Sequence, residues 1–445
     1  MFLKSTGASS LVLLAALQAQ PLAAQPTAER PLRLDYRLGM AIERSDNIRR
    51  SALDPVADTV LRPNLAFALT GEGDRLSLRA AGDAEFYRYQ TSGFDSELRT
   101  RLGLSAAWRL LPERLSWTFE DYLGRQPVDA FAVDRPDNQQ RTNVLLTGPT
   151  LSLRPDARTR VLAELRWVDA WAQRTREFNS ARWNLALRGL RQLSPTQTLT
   201  ANLEYNDTAF EQTSVSVQDF KRVDAFLRWG RRGAQVELAL DAGGSRIDFV
   251  DDVRRQGSLL RLSAAWLPDE AQRFELRAAE QYSDALADLI GAAPRLQDFG
   301  LPVSVPSERG SFLNPDVYRE SSLNLGHTRN GATLFSRVEA YWRDQDYARS
   351  DVLDQRVSGF AAGLSRPLRP TLTLNVYANY DRRRYLLDGR EDRDRIYGLS
   401  LRWRWLRNLE LELGASRAQR RGSVLSQHFD ETRYVLGLLY RRDRS

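Results

Sequence analysis

The sequence has no cysteine, only two histidines and only two lysines among 445 residues. Without cysteine there is no disulfide and no lipid-anchoring thiol. An exported chain of this length must then close its fold by core packing or by a complete ladder of strand hydrogen bonds. Long hydrophobic runs are missing as well: no window past the N-terminus offers the roughly 18 consecutive apolar residues of a membrane helix. The mean hydropathy of -0.48 would suit a soluble secreted protein. It suits a transmembrane barrel equally, because strands that alternate lipid-facing and lumen-facing residues average out as hydrophilic. Lys4 and Lys221 are the only lysines, so arginine carries nearly all of the positive charge behind a net +7 and a pI near 9.7. A GC-rich genome explains the arginine preference, whereas the net excess favours anionic partners.

The N-terminus reads as a secretory signal peptide over residues 1–24. Lys4 is its basic region, Leu11-Val12-Leu13-Leu14-Ala15-Ala16-Leu17 its apolar core, and Leu22-Ala23-Ala24 its small-residue cleavage site. No Pro/Gly/Ser linker divides the remainder, which reads as one barrel domain over 31–441 with a basic tail at 442–445.

What fills that domain is period-two alternation in segments of about ten residues. Leu32, Leu34, Tyr36, Leu38, Met40 and Ile42 fall on one face, with Arg33, Asp35, Arg37 and Glu43 on the other. A helix would scatter those apolar residues round its circumference; a strand turns them all one way. The pattern recurs at Leu98–Trp108, Leu115–Phe119, Val161–Trp167, Leu260–Trp266, Leu334–Trp342, Leu372–Tyr380, Leu399–Trp405, Leu409–Leu413 and Tyr434–Tyr440. Short turns such as Leu111-Pro112-Glu113-Arg114, Arg154-Pro155-Asp156 and Arg366-Pro367-Leu368-Arg369-Pro370 alternate with longer polar loops such as Arg44 to Asp58, Arg125 to Arg141 and Leu286 to Val317. Asn330-Gly331 predicts a two-residue hairpin. Short turns on one side and long loops on the other define an all-β, antiparallel, up-and-down transmembrane barrel of about 20 strands (18–22), with both termini and the short turns periplasmic.

Trp108, Trp167, Trp266, Trp342, Trp405 and Tyr440 are expected to form aromatic girdles at the headgroup level. Barrels of this size leave an aqueous channel unless a loop folds inward. The segment Ala285 to Pro315, the longest loop and an unusually apolar one through Leu286-Ala287-Asp288-Leu289-Ile290, is the candidate constriction. The alternative is a solvated extracellular loop.

Catalytic chemistry has little to work with. His327 precedes the Asn330-Gly331 turn and His428 lies in the loop before the last strand, so they fall at opposite ends. Ser423 and Ser426 beside His428 allow a hydrolase reading that no carboxylate spacing supports. Asp248, Asp251 and Asp252 read as a solvated loop tip rather than a metal site. No phosphate loop and no nucleic-acid module is present. The expectation is therefore no enzyme, no cofactor and no metal.

The lumen is then the functional surface. Arg99, Arg101, Arg166, Arg261, Arg337, Arg343, Arg402 and Arg404 are expected to face inward, interleaved with Glu339 and other carboxylates and with Tyr341. Any wide barrel needs such a lining for its wall alone, since opposite charges across strands stabilise it. A surplus of arginine also suits an anionic solute, because the planar guanidinium pairs bidentately with carboxylates such as those of uronic acid sugars.

Ser45-Asp46-Asn47-Ile48, the stretch Asp54 to Thr59 and Gly82-Asp83-Ala84-Glu85-Phe86-Tyr87-Arg88-Tyr89 resemble the opening of the outer-membrane β-barrel porins found with exopolysaccharide biosynthesis loci. Asp430 to Tyr440 resembles their closing strand. The resemblance implies an outer-membrane protein that takes part in making or exporting a surface polysaccharide. Its partners would be outer-membrane lipid, the assembly machinery, an anionic polysaccharide and periplasmic export components. It supplies no catalytic residues. A general or solute-selective diffusion porin is the alternative. A receptor with a plug domain is disfavoured because the first strand begins near Pro31. One departure stands out: outer-membrane barrels usually end on an aromatic, but here Tyr440 is followed by Arg441-Arg442-Asp443-Arg444-Ser445.

Overall fold

A computed structural model describes residues 30–129, 131–292 and 313–442. The signal peptide, residues 293–312 of the longest loop and the last three residues of the tail lie outside the described residues. The first ten strands are β1 (Arg30–Ser45), β2 (Asp58–Glu72), β3 (Leu76–Tyr89), β4 (Glu97–Leu111), β5 (Leu115–Pro127), β6 (Gln139–Asp156), β7 (Thr159–Ala172), β8 (Ser180–Ser194), β9 (Gln197–Phe210) and β10 (Phe220–Arg232). The rest are β11 (Val236–Phe249), β12 (Arg254–Trp266), β13 (Gln272–Asp284), β14 (Val317–Asn330), β15 (Phe335–Tyr347), β16 (Gln355–Arg369), β17 (Leu372–Tyr385), β18 (Glu391–Leu406), β19 (Leu409–Gly422) and β20 (Phe429–Arg442). Among the described residues one α-helix, α1 (Ala285–Ala292), follows β13.

Every strand pairs antiparallel with its chain neighbours, and β1 pairs with both β2 and β20. The sheet is a closed 20-stranded barrel, as the alternation predicts. Closure satisfies every strand within the sheet and leaves no edge for lipid to strand, which is why closed barrels cross bilayers and open sheets do not. No helix among the described residues is long and apolar enough to cross a membrane; this wall crosses with strands.

The outer face is apolar. Leu34, Leu38, Met40 and Ile42 of β1 are each about half exposed, and Leu436, Leu438 and Tyr440 of β20 continue the band round the seam. Exposed leucine in such numbers belongs against hydrocarbon, and the barrel is of the outer-membrane type. Strands of 13 to 18 residues exceed the roughly 9–11 that span a bilayer, so the wall stands taller than the membrane.

The connections sort the two ends. Pairs of residues such as 157–158, 195–196 and 407–408 turn the chain at one end, where β1 begins and β20 ends. Asp156 makes one of these turns locally, its carboxylate accepting from the Arg158 N–H at 2.7 Å. At the other end run the long connections 46–57, 128–138, 211–219 and 285–316. The Asn330-Gly331 expectation needs correction. Asn330 still pairs with Phe335, and Gly331 N–H donates to the Leu334 carbonyl at 3.0 Å, so the turn centres on Ala332 and Thr333. The ladder persists past Asn330 because those bonds keep the strands in register.

Candidate functional site, an occluded arginine-rich lumen

Two long connections fold into the barrel instead of standing above it. The first is α1. Asp284 caps it, its carboxylate accepting the Ala287 N–H at 2.9 Å. Eight residues make a helix too short to be stable alone, so packing must hold it. Ala285, Leu286 and Leu289 bury one face against Val144 and Leu146 of β6 and against Val168, Ala170 and Ala172 of β7. These strands lie far round the wall from β13, where the helix is rooted, so α1 forms a chord across the lumen. Polar ties hold its N-terminal turn from two sides of the wall. Arg182 of β8 pairs with Asp284 at 3.0 Å. Asp288 receives Arg343 of β15 at 2.7 Å and the Tyr318 hydroxyl of β14 at 2.7 Å, and Arg343 also reaches Glu320 at 2.7 Å. A charge this deep is tolerable only when paired and hydrogen-bonded on all sides, and this one is.

The second chord is the 128–138 connection. Val133 packs with Ile396, Ala418 and Phe429 on β18, β19 and β20. Phe131 reaches the Tyr385 ring at 5.1 Å and joins a cluster with Tyr318 and Tyr347. Its backbone is tied too: Arg390 donates to the Phe131 carbonyl at 2.8 Å and Arg50 to the Asp134 carbonyl at 2.7 Å. Tyr318 touches both chords, directly through Asp288 and through the aromatic cluster. The outer half of the barrel is thus crossed by two segments that share one anchor.

The rim carries a third tie. Arg349 pairs with Asp251 across the mouth and lies over the Phe249 ring at 4.4 Å. That contact holds the exposed Asp251 carboxyl below the usual range. Nearby, burial pushes Asp316 up to about 6 although the backbone N–H groups of Val317 and Arg349 donate to it at 2.9 Å. Next to the α1 chord lies a cavity of about 240 Å³. Five arginines (228, 261, 277, 343 and 383) line it against three carboxylates, Asp241, Glu320 and Asp381. Arg343 belongs both to the cavity and to the grip on Asp288.

The register places the arginines singled out from sequence on the inward face, opposite the exposed Leu and Trp, but few present a free charge. Arg99 pairs with Glu97 at 2.5 Å, bonds Tyr89 and stacks on Tyr87 at 3.9 Å. Arg101 pairs with Asp83 at 2.8 Å. Arg166 is buried in the wall, donating to the Pro149 carbonyl at 2.7 Å and Thr150 at 2.6 Å. Arg261 donates to Gln281 at 2.6 Å and faces Asp241 at 3.5 Å. Arg337 lies 3.8 Å from Glu339, which accepts from Asn324 at 2.8 Å. Arg402 and Arg404 face Glu410 at 3.9 Å near the short-turn end. Arg343 is the one drawn into the plug. Tyr341 reaches over Gly359, where an added Cβ would meet its hydroxyl at 2.5 Å, and Tyr377 covers Gly398 likewise.

All six aromatics expected in the girdles project outward. Trp108, Trp266, Trp405 and Tyr440 lie near short turns, with Trp108 paired to Trp117 and Trp266 stacked on Phe274 at 5.1 Å. Trp167 and Trp342 sit well inside their strands rather than at the ends; Trp167 pairs with Trp183, and Trp171 lies nearer the outer rim. His327 stacks on Phe274 at 4.3 Å, whereas the His428 ring closes on the backbone of Gly422 at the opposite end. No group of three metal-ligating side chains occurs among the described residues.

Scans against known protein families and against curated proteins found no match. Solved structures do match over most of the chain. The siderophore receptor PirA from Pseudomonas aeruginosa is 14% identical, with 92% of this chain and 80% of that one covered at a TM-score of 0.47. The FrpB iron transporter from Neisseria meningitidis is 9% identical, with coverage of 92% and 81% and a TM-score of 0.45. A mutant of the ferric enterobactin receptor PfeA from Pseudomonas aeruginosa, in complex with enterobactin, is 14% identical, with coverage of 92% and 81% and a TM-score of 0.49. No function is transferred from them to this chain.

Sequence reasoning missed the 128–138 chord. Its signal was present as Phe131-Ala132-Val133, an apolar triplet in an otherwise polar loop. A second signal lies in the wall. Val144-Leu145-Leu146 and Trp167-Val168 break the alternation by being apolar on both faces, which a strand does only where something packs inside the barrel.

Proposed function

We propose that this barrel is an outer-membrane conduit for an anionic surface polysaccharide, opened by withdrawal of α1 and of the 128–138 chord. The cavity beside α1 carries this reading: five guanidinium groups against three carboxylates, with Tyr341 in the same lining. Guanidinium forks match carboxylates in plane, and an aromatic face suits the apolar side of a sugar ring. The short stretches that resemble exopolysaccharide-locus porins support the same substrate class, with periplasmic export components and the assembly machinery as partners. A plug that must open suits a controlled conduit.

The test is current block in planar bilayers. An oligouronate added from the short-turn side interrupts current through the barrel held open by Leu286→Ala with Leu289→Ala, whereas a neutral oligosaccharide of equal length does not. Arg261→Gln with Arg277→Gln in that background weakens the block. Equal block by both sugars would leave only a size-selecting pore. Diffusion of small solutes is a second reading, favoured by the pairing of most lumen arginines, which leaves a weak field. Rapid swelling of proteoliposomes in small neutral sugars would support it.

A further inference from the structure

The outward face of β16–β19 carries a feature that neither the lumen nor the wall explains. Above the apolar band the cross-strand register places arginine directly opposite arginine three times: Arg356 with Arg384, Arg382 with Arg393, and Arg393 with Arg421. Arg395 and Arg417 lie one and two rows closer to the membrane, beside Tyr380 and Tyr397. All seven side chains are exposed. Like charges directly opposite destabilise a sheet, so this arrangement opposes barrel stability unless an anion joins it.

The protein's own carboxylates do not suffice. Glu391 takes Arg382 at 2.6 Å and Arg393 at 2.5 Å, Asp430 takes Arg417 at 3.3 Å and also Arg421, and Asp344 takes Arg356 at 2.5 Å. Arg384 and Arg395 make no ion pair among the described residues; Arg395 rests over the Tyr380 ring at 5.8 Å. Three acids thus meet seven bases. The patch is also one-sided. On the far wall the outward residues at the outer end of β7–β9 are Asp169, Trp171, Trp183 and Asp207, with no such cluster.

Position identifies the ligand. Directly below the patch the same strands turn apolar, through Leu364, Val376, Leu399 and Ala415 in one register row and Leu374, Leu401, Leu413 and Leu436 in the next. A molecule satisfying both zones has acyl chains along the wall and several negative charges at the headgroup level. We propose that this face binds a multiply phosphorylated glycolipid of the outer leaflet, its phosphates bridging the opposed arginines and its acyl chains lying on the leucine rows. Guanidinium groups favour phosphate through paired, charge-assisted hydrogen bonds.

The experiment uses the full barrel in nanodiscs and reads binding of a bisphosphorylated lipid A by native mass spectrometry. The combined variant Arg384→Gln, Arg393→Gln and Arg395→Gln binds about tenfold or more weakly than the parent. Arg384→Lys, which keeps the charge, stays close to the parent, and Lys221→Gln elsewhere on the outer face has no effect. Heat-resistant migration in detergent gels verifies that each variant is a closed barrel. Equal binding by parent and combined variant overturns the proposal. So does equal binding of the same glycolipid stripped of its phosphates, which would make the apolar rows sufficient. Displacement of the lipid by millimolar inorganic phosphate would make the patch a free-anion site and overturn it as well.

Discussion

Leu286 and Leu289 decide whether α1 stays in the lumen, and shortening them should open the barrel. Both are nearly fully buried against β6 and β7, at 3% and 8% exposure. Replacing a buried leucine by alanine costs about 2–5 kcal/mol through lost burial and the cavity left behind. Taking the low end for each, Leu286→Ala with Leu289→Ala weakens the docked state by about 4 kcal/mol, close to a thousandfold in the docked-to-undocked ratio. The barrel wall loses nothing essential, because both residues belong to the chord and not to the ladder. The assay is single-channel recording in planar bilayers, with heat-modifiable migration to verify a closed barrel. The parent should show rare, brief openings, and the double variant should be open for most of the record. A variant that folds, inserts and stays as quiet as the parent would refute the idea that α1 closes the lumen.

Other perturbations separate further parts of the account. Asp288→Ala leaves Arg343 facing Glu320 and Tyr318 without the helix; it should raise open time in the same recordings but less than the leucine pair, because the apolar face still docks. Glu431 is fully buried at the β1–β20 seam, between Arg50 at 2.9 Å, Arg433 at 2.6 Å and Ser45 at 2.7 Å. Glu431→Ala removes the carboxylate shared by the two arginines and leaves Arg50 to Asp134 and Arg433 to Glu43; the loss, at the low end of about 3–5 kcal/mol, should appear as unfolding at lower urea in detergent. Asp316 sits at about 6 instead of its ordinary 3.8. The detached loop therefore gives up its proton first as pH rises from 3.8, and the tucked loop loses stability up to about pH 6 and stays weakened above it. Protease should cut at 348–354 faster at pH 8 than at pH 5, and Asp316→Asn should flatten the difference. Tyr440→Ala, which removes the aromatic paired with Leu38 and Leu409, should lower insertion by the assembly machinery, whereas trimming 442–445 should not.

The wall was legible because each strand writes its own orientation. Leu34 through Ile42 and Leu399 through Trp403 need only a period of two and a turn to be placed, and closure follows once no edge is allowed. The plug was half legible. Leu286 and Leu289 stood out as apolar residues in a polar loop, but their partners Val144 and Val168 lie more than a hundred residues upstream, and nothing local connects them. The 128–138 chord depends on Arg50, on Tyr385 and on Arg420, which donates to the Ala132 carbonyl at 3.2 Å, and these come from separate parts of the chain. Arg166 shows the limit of reading a lining from parity. Its inward position follows from alternation, but its role as a brace on the Pro149 carbonyl depends on the irregular backbone at Gly148-Pro149. The opposed arginines on β16–β19 were invisible for the same reason, since register between strands is not written in either strand alone.

The central claim is outward passage of an anionic polysaccharide, and its most direct measurement is where that polymer accumulates. In a strain lacking the gene, uronic acid polymer is weighed in the medium and in the periplasm, with the parent gene or the Arg261→Gln, Arg277→Gln variant restored. The account predicts periplasmic retention in the deletion, full release with the parent gene and reduced release with the variant. Unchanged release in the deletion strain would contradict it.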